Sequence, residues 1–155
     1  KVNGTFGKFG GTVQFDPANV SASKTTATID VSSVNTANEK RDGHLKSCDF
    51  FCLEKFNQMT FTTKSVKAKS GDAKNPEFQI VGELTLHGIT KEVTLDAVFN
   101  GEAVGPDGTP RAGFSATGSL NRKDFGLTWS KLTEAGGVMV GDEVALRLEI
   151  EAVKK

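Results

Sequence analysis

Asp42, His44, Arg122 and Asp124 are the side chains whose types could move a proton, and Cys48 and Cys52 are the chain's two thiols. A histidine beside a carboxylate can serve as a general base. No nucleophile motif accompanies this set, and the second histidine, His87, sits before a glycine in turn-forming sequence. A structural reading therefore outweighs a catalytic one. Arg122 and Asp124 are expected to form an ion pair between strands, and His44 to cap or anchor the segment around it. No catalytic residue and no cofactor is expected.

Cys48 and Cys52 are four residues apart, which on a helix brings their Cα atoms within about 6 Å, close enough for a disulfide. His44 continues the same helical face, but roughly 12 Å of rise separates it from Cys52, too far to share one metal ion. A disulfide is the leading expectation, with two free buried thiols, or metal or redox work, as alternatives; no metal site is assigned. A disulfide would agree with an oxidising compartment.

The elements that must hold these groups are strands. Val144 to Glu151 alternates Val, Leu, Leu, Ile with charged residues, and the same period of two runs through Phe78–Leu86, Val93–Phe99 and Ala112–Leu120. That period gives each segment one dry and one wet face. Further strands are read over Val2–Asp16, kinked at Gly10-Gly11, over Thr26–Ser33 and over Met59–Val66. Asn38–Glu54 lacks alternation and reads as one or two short helices. His87-Gly88 makes a tight hairpin, Gly105-Pro106-Asp107-Gly108 a loop, and Ala135-Gly136-Gly137 a mobile loop. The fold class is all-β, an antiparallel lipocalin-like barrel of seven to eight strands with a short helical insertion, in one domain covering 1–155.

Nineteen basic residues balance nineteen acidic ones, which excludes the basic face of a nucleic-acid binder. No stretch approaches the roughly 18 apolar residues of a membrane-spanning helix. Eleven Phe, one Trp and no Tyr leave an interior with few hydroxyls to satisfy. Phe6, Ile29, Val31, Phe61, Phe78, Ile80, Leu84, Leu95, Phe114, Ala116, Leu146 and Leu148 fall on the inward parity, and Phe50 and Phe51 lie in the insertion that would cover one mouth. Among the inward residues Gly82, Ala97, Ala112, Ala116 and Gly118 are small, which is expected to leave a cavity.

Several blocks also resemble the YceI family: Gly4-Thr5-Phe6-Gly7-Lys8-Phe9-Gly10-Gly11, Asp42-Gly43-His44-Leu45-Lys46-Ser47, Val81-Gly82-Glu83-Leu84-Thr85-Leu86-His87-Gly88, Asn121-Arg122-Lys123-Asp124-Phe125-Gly126 and Val140-Gly141-Asp142-Glu143-Val144. They occur in family order and run nearly end to end. The resemblance implies a lipocalin-like barrel of the bacterial periplasm or a secreted form. It also implies an isoprenoid lipid, isoprenoid quinone or other long amphiphile held by the wall residues named above, loaded or delivered in a peripheral membrane encounter. The family pattern places one more strand ahead of Gly4; without it one barrel edge would be open to pairing, as in a homodimer. The rivals are an enzyme using His44, Asp42 and Asp124 on a lipid-like substrate, and a ligand-free module that works by protein contact.

Overall fold

The computed structural model describes residues 2–71, 74–130 and 141–155. Its elements are β1 (Thr5–Phe6), β2 (Phe9–Gln14), β3 (Lys24–Asp30), β4 (Val34–Asn35), α1 (Glu39–Lys46), β5 (Gln58–Gly71), β6 (Pro76–Leu86), β7 (Ile89–Val104), β8 (Pro110–Asn121) and β9 (Glu143–Val153). Seven of them, β2-β3-β5-β6-β7-β8-β9, pair in that order into one antiparallel sheet, and β1 pairs with β4 in a two-stranded ribbon. The long sheet curls into a half-barrel, so the all-β antiparallel architecture expected from the alternation is the one observed. Among the described residues β2 and β9 are its two edges.

Register explains how the alternating segments come to share a face. Phe78 lies opposite Ala97, Ile80 opposite Leu95 and Gly82 opposite Val93, so the apolar parity of β6 matches that of β7. The hairpin between them turns on His87 (φ 56°) and Gly88 (φ 74°), the paired positive φ values of the two-residue turn whose twist suits flanking strands. Two of the three register shifts, the third lying between Ala68 and Gly71 near the end of β5, are equally informative. Pairing skips Lys64 between Thr63 and Ser65 on β5, and Asn100 between Phe99 and Gly101 on β7. Because side chains alternate, each extra residue resets the parity that follows it. The Lys64 bulge turns Val66 inward after Phe61, where an unbroken strand would have pointed it at solvent.

Packing gathers at the two ends of the curled sheet. One cluster joins Val31, Met59, Leu84, Leu86, Val93, Leu95, Phe125 and Leu127, with Phe6 and Phe51 against it. The other joins Val20, Val66, Phe78, Ala97 and Phe99, with Phe15 and Phe114 against it. Ile80 and Ala116 touch both.

Three expectations require correction. The first strand is not one long element kinked at Gly10-Gly11: the chain breaks at Gly7-Lys8, and the register Gly10↔Thr28, Gly11↔Ala27 is regular. The break lets β1 cross to β4 while β2 stays with β3. Second, Val31 leaves its strand for a 3-10 turn over Val31–Ser33, which the Asp30 side chain caps by accepting from the Ser32 N–H. Third, only Glu39–Lys46 of the insertion is α-helical; Asn38 caps it by accepting from the Arg41 N–H, and Cys48 lies beyond its end. The loop expected at Ala135-Gly136-Gly137 lies outside the described residues.

Candidate functional site

The proton-moving candidates do not converge. His44 Nε2 lies 2.8 Å from the Asp49 carboxylate, and its ring packs edge-on against Phe50 and Trp129. Asp42 instead accepts from both the backbone N–H and the hydroxyl of Thr36. The Thr36 hydroxyl is the main cause that holds the Asp42 carboxyl below its ordinary value. Among the described residues no hydrogen bond or ion pair links His44, Asp42 and Asp124 to one another.

Arg122 departs from the expectation too. It is 3% exposed and does not pair with Asp124. Its guanidinium donates to the carbonyls of Gly141, Leu127 and Trp129 and lies 3.4 Å from Asp142. A two-residue spacing across the start of a 3-10 turn (Arg122–Phe125) points the two side chains apart, so Arg122 is free to gather carbonyls from the segments on either side. Its role is to join the end of β8 to the approach of β9.

Cys48 and Cys52 are bonded to each other, with Cα atoms 3.8 Å apart in the turns that follow α1. They are not on the helical face with His44 that the spacing of four suggested, because the helix ends at Lys46. A Glu54 carboxylate oxygen lies 3.3 Å from Cys48 Sγ.

What the fold does assemble is an apolar trough along the concave face. At one end Phe15 packs against Phe78, Phe99 and Phe114, with ring centroids 5.4, 4.9 and 5.1 Å away. At the other end Phe6 and Phe51 meet edge to face at 5.9 Å. Between these aromatic stops lie Ile29, Phe61, Ile80, Ala116, Leu146 and Leu148, all half-buried. Val31 at 1% exposure and Phe78 at 3% are spent on packing, as are Leu84, Leu95 and Phe50. Those five of the expected wall residues lie behind the surface of the trough or beyond its end.

The expected cavity above the small residues is also revised. A Cβ on Gly82 would lie 2.2 Å from the Phe61 ring, and one on Gly118 would lie 2.7 Å from Leu95 Cδ2. The space over both glycines is therefore already filled by neighbouring side chains. Two clefts of about 310 and 270 Å³ are found elsewhere, one beside Lys91, Asp124 and Glu143 and one beside Pro17 and Lys69, neither in the trough. The apolar surface left over is at the open side. Phe9 is 56% and Val13 37% exposed on β2, one edge of the sheet, and Leu146, Leu148 and Ile150 on β9, the other edge among the described residues, are half-buried. Phe9, Val13, Phe15, Phe99 and Ile150 were not among the expected wall residues, although the alternation already put Phe99 and Ile150 on the apolar parity. The alternation Phe9, Gly11, Val13, Phe15 carried the signal for the first three, masked by the glycines.

Comparison with known proteins agrees with this architecture. The YceI-like domain model matches residues 1–152. A UPF0312 protein of Staphylococcus aureus (strain MSSA476) is 43% identical over 152 residues, covering 97% of this chain and 84% of the relative. The crystal structure of the Campylobacter jejuni YCEI protein superposes with a TM-score of 0.81 at 37% identity, covering 100% of this chain and 86% of that one. A polyisoprenoid binding domain from Saccharophagus degradans shares the fold at a TM-score of 0.66 and 16% identity, covering 96% of this chain and 83% of that domain. A match to the family model across the whole curled sheet, together with relatives this similar over nearly all of it, places the chain in the YceI-like family.

Proposed function

We propose that the protein binds a long apolar chain, an isoprenoid lipid or isoprenoid quinone, along the concave trough and carries or stores it. The observation that carries this reading is the half-buried apolar strip between two aromatic stops, with Phe9 and Val13 exposed on the β2 edge beside it. Such a strip is poorly placed to face water permanently. Covering it with hydrocarbon gains about 0.8 kcal/mol per buried methylene before the cost of ordering the ligand. The family membership and the isoprenoid-binding neighbour of the same fold support the choice of ligand class.

Binding without chemistry is favoured over an enzyme because Asp42, His44 and Arg122 are each engaged in local structure. The disulfide supports a periplasmic or secreted location. Cargo of this kind exchanges through a peripheral encounter with a membrane; among the described residues no helix is long and apolar enough to cross one.

The test is solvent extraction of freshly purified protein followed by mass spectrometry, with uptake of a fluorescent prenyl chain measured in parallel. A stoichiometric prenyl or quinone species is expected. Val13→Glu, at the exposed rim, should weaken uptake by roughly tenfold while leaving the melting temperature unchanged. An empty extract with no uptake would overturn the proposal.

A further inference from the structure

Cys48, Cys52 and Glu54 come together in the turns that follow α1. Two sulfurs and one carboxylate oxygen there all lie within 4.8 Å of one another. The sulfurs are joined, and the Glu54 oxygen is 3.3 Å from Cys48 Sγ. A disulfide sulfur carries no proton, so it has nothing to donate to that carboxylate. No ion pair among the described residues takes up the Glu54 charge either. Cys48 and Glu54 are exposed, whereas Cys52 is 3% exposed. A reductant can therefore reach one sulfur of the pair from solvent while the other is shielded.

We propose that these three residues form a redox-gated site for a thiophilic divalent cation such as Zn²⁺, closed as the disulfide and open as the dithiol. Reduction by a phosphine shows the balance. The phosphine takes oxygen from one water and becomes its oxide. Its two electrons break the S–S bond, and the two hydrogens of that water complete two S–H groups. Zn²⁺ then releases both thiol protons to the buffer and forms two Zn–S bonds and one Zn–O bond to Glu54.

Softness selects the ion, since thiolates favour Zn²⁺ over Ca²⁺ or Mg²⁺, which take oxygen sets. Three protein ligands leave the fourth tetrahedral position to water. Electrostatics decides between ion binding and disulfide-exchange catalysis. Cysteines that exchange disulfides sit in electropositive surroundings that stabilise the thiolate. Here a carboxylate lies against Cys48, which opposes a bare thiolate and favours a bound cation. The turns also have supports besides the S–S bond. Phe51 N–H donates to Leu45 O, Cys52 N–H to Ser47 O, Leu53 N–H to Lys46 O and Phe56 N–H to Cys52 O, all at 2.9–3.0 Å. With Cα atoms 3.8 Å apart, the thiols released by reduction stay adjacent. The spacing of the cysteines alone supplied two ligands; the turns add Glu54 as the third.

Titration of Zn²⁺ into the intact chain tests this, with the chain either oxidised or reduced by a phosphine under argon. The reduced chain should take up one Zn²⁺ per copy, and the oxidised chain none at the same concentration. Co²⁺ in place of Zn²⁺ should give the thiolate-to-metal charge-transfer absorption of sulfur ligation. Zn²⁺ should also return the melting temperature lost on reduction, because an ion that binds only the folded state stabilises it. Glu54→Gln, at an exposed position, should weaken uptake by roughly tenfold with circular dichroism unchanged. Cys48→Ser should abolish it. Equal uptake by the oxidised chain overturns the proposal, since it would place the ion on surface groups such as His44 and Asp49. So does uptake indifferent to Glu54→Gln, or a reduced chain that takes up none. A reduced chain that loses its circular dichroism overturns it as well, because the site would not outlast the bond it replaces. None of these outcomes depends on what the trough binds.

Discussion

At Gly82 the sheet has no side chain because the Phe61 ring from the neighbouring strand lies over it. Gly82→Ala would press on both that ring and the Thr62 carbonyl 2.8 Å away, and the backbone atom has little room to yield. A loss of about 1–3 kcal/mol is expected in denaturant unfolding, with partial recovery when Phe61→Leu is added. Arg122 shows a second kind of dependence. Its fork serves three carbonyls from a buried position, so Arg122→Met leaves them unserved and should cost about 3 kcal/mol. Arg122→Lys should recover little, because a point charge cannot span the same acceptors. Asp42 sets a pH dependence. Its carboxyl is held below the ordinary value chiefly by the Thr36 hydroxyl. The stabilisation is therefore complete above the unfolded carboxylate range near pH 4 and is lost as pH falls through the lower folded value. Melting curves should show Asp42→Asn less stable than the parent at pH 6, with the difference narrowing as the pH falls below the ordinary carboxylate value.

Among the elements, α1 is held by its surroundings more than by its own sequence. It is short and buries no residue, and what fixes it is the Asn38 cap, the Arg41 and Asp42 bonds to Thr36, and the turns closed by Cys48–Cys52. The disulfide closes a loop of only a few residues, so its entropic effect is small, about 2 kcal/mol on a loop-closure estimate. Cys48→Ser/Cys52→Ser should lower the melting temperature by roughly 5 °C, and reduction of the parent should do the same. The strands were legible in the sequence because burial imposes period two, and β6, β8 and β9 were read close to their observed lengths, while β7, read over Val93–Phe99, runs from Ile89 to Val104. The insertion was less so. Nothing in the run from Asn38 to Glu54 marks Lys46 as the last helical residue, and the wrong helical extension misplaced both cysteines. Register shifts were invisible, since a bulge is defined by its partner strand.

For the whole molecule, parity identified the inner wall but not how far it was filled. Small residues in a sheet leave space only if no neighbour leans across, and Phe61 and Leu95 lean from adjacent strands. The trough is consequently shallower in its middle than the alternation suggested, and its accessible part lies toward the open side. Phe15 is the side chain that closes one end, in contact with three other Phe rings. Phe15→Ala should cost about 3–4 kcal/mol. It should also lengthen the trough, shifting the preference in a competition assay toward longer prenyl chains. A preference that does not move with this substitution would place the bound chain away from that end.

The bulges at Lys64 and Asn100 also determine which deletions this chain tolerates. In a strand where every residue is read as inside or outside by its place in line, removing one residue inverts everything after it, as dropping a letter shifts a reading frame. At Lys64 and Asn100 the partner strand already skips a residue, so losing that residue leaves the frame intact. Deletion of Lys64 would give up an exposed ion pair with Glu92 and a kink, whereas deletion of Thr62 would turn Val66 out and Lys67 in unless the bulge migrated. Length variation within these strands is thus tolerated best at the register shifts, here at Lys64 and Asn100 and, near the end of β5, between Ala68 and Gly71.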